Sequence, residues 1–296
     1  REDHVTSYSV TRKKDVWGFQ NNEMFAYMRL NFKTLADRRK VNSVFAYNNT
    51  FRKYHVYESN LDPVLRLMHR TGIQSTGWLD TGSECVRSHL AKVDIDLWCN
   101  DWRTLKPVDR DDIAPFVVAS VDIECNSSTG KFPSADVPDD ACFQIALSLC
   151  KFGSDEPYEK VCLCYKKTEG PNVVSFDTER GMLEAFQKYI HEKDVDIITG
   201  WNIFGFDLEY LYKRAHMTGC HEEFFNLGKL HDPPSDLLMK KLSSSALGDN
   251  FLKLLPMSGR FIFDMFHEVK KGYKLDSYKL NEVSKLYLGD QKIDMS

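Results

Sequence analysis

The chain has no C-x-x-C pair, and no histidines cluster near its cysteines at zinc-finger spacing. The usual structural zinc signatures are therefore absent. No apolar run approaches the length of a membrane span, and the first residues, Arg1-Glu2-Asp3-His4, do not form a signal peptide. Internal repeats, low-complexity tracts and a periodic aromatic motif are also missing, which argues against a solenoid. It also leaves Trp78, Trp98 and Trp102 to be read as core anchors rather than base-stacking platforms.

The eight cysteines (85, 99, 125, 142, 150, 162, 164 and 220) fall partly inside apolar strand-like runs such as Val161-Cys162-Leu163-Cys164-Tyr165. They read as reduced core residues of an intracellular protein. The 296 residues suffice for one large domain or two ordinary ones, and 42% hydrophobic with 28% charged residues is the composition of a globular protein. The chain does not begin with Met and stops after Asp294-Met295-Ser296, so it reads as a piece of something longer. Charge is uneven. Residues 1–110 hold 18 Lys+Arg against 13 Asp+Glu, whereas residues 111–296 hold 21 against 30. A mildly basic first part joined to an acidic second part suits a nucleic-acid contact beside a carboxylate-rich site, and equally an ordinary surface.

Six small or apolar residues, mostly β-branched, lead from residue 116 into Asp122-Ile123-Glu124-Cys125 and then a run of turn formers, Asn126 to Gly130. This predicts a buried strand over 116–125. Side chains two apart on a strand share a face, so Asp122 and Glu124 project together. Two adjacent, partly desolvated carboxylates call for a cation, and hard oxygen donors favour Mg²⁺ or Mn²⁺. A strand that simply turns polar at the surface explains the tripeptide as well.

Upstream, residues 23–32 have strand composition, 33–45 helical composition and 54–58 the look of a short strand. Ser59 or Asn60 can cap a helix over 61–70, with Pro63 in its first turn and Gly72 ending it. Residues 105–115, with two prolines among charges, suit a linker. This divides the chain into a smaller α+β domain, 1–110, and a second domain, 111–296. In the second, strands over 116–125, 141–152 and 160–165 suggest an antiparallel meander. A helix from about 179 to 190, a strand over 194–200 and a helix over 206–215 follow. The expected class is α/β: an RNase H-like mixed sheet with flanking helices. Asp207 opens the last helix, beside Asn202 and Phe206, in a loop leaving a strand end where α/β sheets place ligand groups. A lone Asp there is also an ordinary helix cap.

These segments resemble the 3′–5′ exonuclease region of the family B DNA polymerases, the group that includes eukaryotic polymerase delta and large-DNA-virus enzymes. Val121-Asp122-Ile123-Glu124-Cys125 resembles the first exonuclease motif, and residues 198–208, with Asn202, Phe206 and Asp207 as an N-x-x-x-F-D core, resemble the second. Phe143-Gln144-Ile145, residues 259–264, residues 274–281 and residues 288–292 continue the likeness, and Tyr57-Glu58-Ser59-Asn60 with Leu65 to Met68 resembles the amino-terminal domain. The resemblance implies that Asp122, Glu124 and Asp207 bind two Mg²⁺ or Mn²⁺ ions and hydrolyse the 3′-terminal phosphodiester of DNA. It implies that Asn202 and Phe206 position the terminal nucleotides, with Ser277, Tyr278, Leu280 and Asn281 as further contacts to single-stranded DNA. Lys279 departs from the Ser/Thr-Leu pair that some members carry before Leu280. Partners would be a primer 3′ end, with dNTP and a sliding clamp engaged only through other parts of the parent.

Two family features are missing. No Y-x-x-x-D tetrad follows Leu280, since Tyr287 is followed four residues on by Gln291. Asp264, Asp276, Asp290 and Asp294 read first as structural or surface acids. The polymerase signatures, Asp-x-x-Ser-Leu-Tyr-Pro-Ser-like and Tyr-Gly-Asp-Thr-Asp-like, do not occur either. The expected function is thus a DNA-directed DNA polymerase with proofreading, of which this piece has no polymerase activity and weak or no exonuclease activity. The alternatives are a free-standing 3′–5′ exonuclease and a non-catalytic nucleic-acid-binding scaffold. The nucleus or a viral replication compartment is the expected location, and the spacing between residues 243 and 259 leans to a large DNA virus.

Overall fold

The strand that carries Asp122 and Glu124 alternates strictly. Val117, Ala119, Val121 and Ile123 are buried, while Ser120 and Asp122 on the other face are exposed. A period of two with one apolar face is what a strand covered by helices on one side requires. In the computed structural model the described residues are 4–231, 236–244 and 248–290. Gln291, Lys292 and Asp294 lie outside them, as does part of the segment between 243 and 259.

The chain forms two compact units, Arg1–Ser83 with Asp101–Arg110, and Glu84–Asn100 with Asp111–Ser296. The elements up to residue 110 are β1 (Val5–Lys13), β2 (Phe25–Phe32), α1 (Leu35–Tyr47), α2 (Pro63–Thr71), β3 (Trp78–Asp80), β4 (Cys85–Arg87), β5 (Leu97–Cys99) and β6 (Lys106–Val108). In the first unit β1 pairs antiparallel with β2, and β3 with β6. The expected helix after residue 60 is present, but Asp62 caps it, accepting from the amides of Val64 and Leu65. Pro63 stands in its first turn and Gly72 ends it at φ 76°. The expected strand at 54–58 does not form: these residues are bends and loop, with no partner strand. Tyr57 is used differently, its ring packing edge-on to Tyr27 at 5.5 Å and its hydroxyl donating to Asp15. The tryptophans are not core anchors either. Trp98 and Trp102 are about half exposed, and Trp78 is half-buried beneath the Arg110 guanidinium, 4.1 Å from its ring centre.

The second unit continues with β7 (Val117–Cys125), β8 (Cys142–Lys151), β9 (Glu159–Tyr165), β10 (Val173–Phe176), α3 (Glu179–Glu192), β11 (Ile197–Gly200), α4 (Asp207–Thr218), α5 (His221–Phe224), β12 (Leu238–Ser244), β13 (Gly248–Leu254), β14 (Phe261–Asp264), α6 (Met265–Gly272) and α7 (Leu280–Leu288). Six strands form one mixed sheet in the order β10-β9-β8-β7-β11-β14. The meander β7-β8-β9 is antiparallel as expected, while β10, β11 and β14 pair parallel to their neighbours. The mixed α/β sheet with flanking helices is thus present.

Ile145, Leu147 and Leu149 of β8, Leu163 of β9 and Ile198 of β11 join the buried side of β7. Helix α3 covers them with Met182, Leu183, Phe186 and Ile190, and α4 adds Leu208, Leu211 and Ala215. Each large side chain so buried stabilises by about 1.5–3 kcal/mol. Inside this apolar layer Arg214 of α4 grips Glu179 of α3 through two bonds of 2.8 and 2.5 Å. The Glu179 carboxylate also accepts from the Cys142 amide, and the Arg214 guanidinium donates to the carbonyls of Val137 and Pro138. The pair thereby ties two helices, a strand start and the 133–140 loop to one point. All eight cysteines are free thiols; Cys142, Cys164 and Cys220 are buried and the other five only partly so.

Candidate functional site

Two of the carboxylates that the sequence singled out, Asp122 and Asp207, act on each other at one end of the sheet. Asp122 and Glu124 leave β7 on the face away from the core, opposite Ala146 and Gln144 of β8. Asp207 begins α4, which packs on the other face, and is buried at 6% exposure. Its carboxyl is pushed up to about 7, first by burial and second by the negative charge of Asp122. Backbone hydrogen bonds at Asp207 itself and at Ile123 act in the opposite direction. A helix N-terminus also favours a negative charge, so the net rise measures how strongly desolvation and the second carboxylate prevail.

The donor set is all hard oxygen, which suits Mg²⁺ or Mn²⁺ over a softer ion. A divalent ion would offset the burial and the Asp122 charge that together raise the Asp207 carboxyl. Among the described residues no three His, Cys, Asp or Glu side chains already stand together as a metal cage. The donor chemistry therefore fits such a group, and the ligand shell is not closed by these side chains alone.

The loop from β11 to α4 is built for close approach. A Cβ on Gly200 would stand 2.5 Å from the Val121 carbonyl oxygen, next to Asp122, and 2.5 Å from Ile203. Only glycine lets the end of β11 lie that near β7. Asn202 has φ 63°, a left-handed conformation that asparagine tolerates better than most residues. Its carbonyl accepts from the amides of Gly205 and Phe206, and its side chain lies against Gly205, where a Cβ would come within 2.4 Å of Oδ1.

Phe206 is half-buried and lines a cleft of about 250 Å³ together with Phe132, Tyr210, Lys213 and Lys253. Its ring meets Phe132 at 5.2 Å and Tyr210 at 5.1 Å. Phe132 is 79% exposed although its loop is firmly built. Buried Asp140 accepts from the amide and hydroxyl of Ser128 and from the Ser134 amide, and the Ser128 hydroxyl leads in holding the Asp140 carboxyl below the usual carboxylate range. The Tyr210 hydroxyl donates to the Asp140 carbonyl at 2.6 Å. Sequence reading passed over Phe132; a lone aromatic among the turn residues of 126–134 was the available signal.

The remaining expected residues lie after α6. The Tyr278 hydroxyl donates to the Tyr273 carbonyl and accepts from the Leu275 amide, and Ser277 accepts from the Lys279 amide. Both therefore shape their own turn. Leu280 and exposed Asn281 open α7, whose buried residue is Val283. Ring contacts run from Trp201 to Phe266 at 5.9 Å and from Phe266 to Tyr278 at 6.4 Å, joining this turn to the Asn202 loop. Asp276 and Asp290 are exposed. Asp264 is buried, and its two oxygens accept three backbone amides.

Residues 54–283 match the exonuclease domain of DNA polymerase family B. The DNA polymerase of Paramecium bursaria Chlorella virus NY2A is 34% identical over 297 residues, covering 96% of this chain and 32% of that protein. The DNA polymerase delta catalytic subunit of Arabidopsis thaliana is 33% identical over 253 residues, covering 82% and 23%. That of Dictyostelium discoideum is 29% identical over 308 residues, covering 99% and 28%. The chain thus spans about a third or less of the length of these relatives. With this match and a sheet that brings both acidic motifs to one end, the chain belongs to the family B DNA polymerases, as their exonuclease region.

Proposed function

We propose that this chain is the amino-terminal and proofreading section of a DNA-directed DNA polymerase, in which it removes nucleotides from the 3′ end of a mismatched primer. The observation that carries the proposal is the proximity of Asp122, from one motif, to buried Asp207, from another, whose carboxyl is pushed up to about 7 first by burial and second by the Asp122 charge. Asp122, Glu124 and Asp207 would hold the divalent ions. The chemistry such a pair supplies when bound is activation of a water and stabilisation of the leaving 3′-oxygen.

The chain's own residues do the rest. The cleft between Phe132 and Phe206 accepts an unpaired base against aromatic faces, and Lys213 and Lys253 at its edge suit the phosphate backbone. Asn202, fixed in its left-handed turn, faces the terminal nucleotide, with Tyr278 and its neighbours flanking the strand. Protonated Asp207 is a poor ligand, so activity falls as pH drops below about 7 unless bound cation holds the carboxyl ionised.

Without a Y-x-x-x-D carboxylate after Leu280 the chain alone turns over weakly or not at all. Contacts to dNTP and a sliding clamp belong to other parts of the polymerase. A nuclear or viral replication compartment matches the kinds of relative found. The test is release of nucleoside monophosphates from a mismatched primer by the complete polymerase with Mg²⁺. Replacing Asp122 and Glu124 together by Ala should abolish release; undiminished release would overturn the assignment.

A further inference from the structure

We propose that Asp264 is a positioning residue for the exonuclease site, a clamp that holds the Asn202–Phe206 loop in register through its backbone. The inference rests on the proofreading reading above and adds a residue to it.

Asp264 ends β14, whose parallel partner at that point is Gly200, the last residue of β11. Its carboxylate therefore sits at the carboxyl end of the strand from which the loop departs. Oδ1 accepts from the Asn202 amide at 2.9 Å and from the Phe266 amide at 3.0 Å, and Oδ2 accepts from the Phe204 amide at 3.0 Å. Only the Phe266 bond is that of a helix cap. The other two reach a loop some sixty residues earlier in sequence. Aromatic contacts close the same seam, Trp201 on Phe266 at 5.9 Å and Phe204 on His267 at 6.1 Å.

The loop needs such an anchor. Asn202 holds a left-handed conformation that costs a non-glycine residue free energy, and the Asp264 carboxylate satisfies its partly buried amide and that of Phe204. The same loop ends at Asp207, so a slack turn would let the Asp207 carboxylate drift from Asp122. Misplacement of about 1 Å is enough to cost on the order of 10²-fold in rate.

Asp264→Ser separates the two duties. Serine caps a helix well, yet its shorter side chain cannot span to the loop. Two measurements test the proposal. In the full chain, amide hydrogen exchange should show protection at Asn202 and Phe204 falling at least about tenfold in D264S, with Phe266 still protected. In the complete polymerase, single-turnover excision should slow by at least about tenfold while the Kd for a mismatched primer stays within about twofold. Should D264S not fold, Asp264→Asn takes its place: its remaining oxygen can still serve the Asn202 and Phe266 amides, so protection should fall at Phe204 alone, with excision slowed by the same measure. Unchanged protection at Asn202 and Phe204 overturns the clamp. Lost protection with an unchanged excision rate overturns the positioning role alone. If the unsubstituted polymerase releases no nucleotide, the proofreading reading fails and takes the positioning role with it.

Discussion

The carboxylate of Asp122, on the open face of β7, acts on Asp207, which reaches the same end of the sheet from α4 on the covered face. Neither residue is unusual in its own segment. Together they set the electrostatics of the site, because one is buried and the other is close.

A first prediction concerns stability against pH. Asp207 binds its proton more tightly in the folded chain than when unfolded, so between pH 4 and 7 the folded state holds the extra proton. Stability from this group is therefore greatest below its unfolded pKa and declines as pH rises toward about 7. Asp207→Asn should stabilise the metal-free chain at pH 8 by on the order of 4 kcal/mol and change little at pH 3. Urea unfolding at the two pH values checks the sign.

Divalent cations should reverse that penalty. Mg²⁺ or Mn²⁺ at millimolar concentration should raise the Tm of the chain and release protons near pH 6.5, by binding the folded state alone. In Asp122→Ala combined with Asp207→Ala the Tm shift should vanish. Calorimetry in two buffers of different ionisation enthalpy measures the protons.

Arg214 and Glu179 make a prediction about folding alone. Replacing Arg214 by Met leaves Glu179 buried without its partner and should cost about 3–5 kcal/mol. Adding Glu179→Leu should recover much of the loss, since a buried pair is often worth no more than apolar residues of similar size. Equilibrium unfolding of the two variants and the unsubstituted chain decides it.

Phe132 separates binding from stability. At 79% exposure, Phe132→Ala should alter stability by no more than about 0.5 kcal/mol. Loss of one stacked base should weaken binding of a single-stranded 3′ end by about 1–3 kcal/mol. Fluorescence anisotropy with a labelled oligonucleotide reports the second quantity and thermal melting the first.

Gly200 tests the close approach of β11 to β7. An added methyl group 2.5 Å from the Val121 carbonyl oxygen has no room, and Gly200→Ala should cost about 1–3 kcal/mol. The same clash presses on the backbone beside Asp122, so cation affinity should fall with stability. The Tm shift produced by Mn²⁺ in this variant checks both.

Much of the second unit could be read directly from residue patterns. The apolar, β-branched run from 116 and the apolar segment 141–152 announced strands that the sheet contains, and the apolar stripe from Met182 to Ile190 announced α3. Where patterns were short they misled. Residues 54–58 have strand composition and no strand to pair with, so side-chain contacts to Tyr27 and Asp15 shape them instead. β10, only four residues long, was missed for the opposite reason: its strand character comes from pairing with β9.

By itself, the sequence determined that Asp122 and Glu124 share a face and that Asp207 begins a helix, because backbone periodicity is local. It also carried the family, through motifs that need no coordinates. Only the tertiary structure decided that Asp207 is buried within reach of the Asp122 charge, that Phe132 stands exposed against Phe206, and that Asp264 is occupied by the Asn202 loop rather than free to serve as another ligand. Burial, charge proximity and hydrogen-bond partnership arise between segments distant along the chain, where no periodicity connects them.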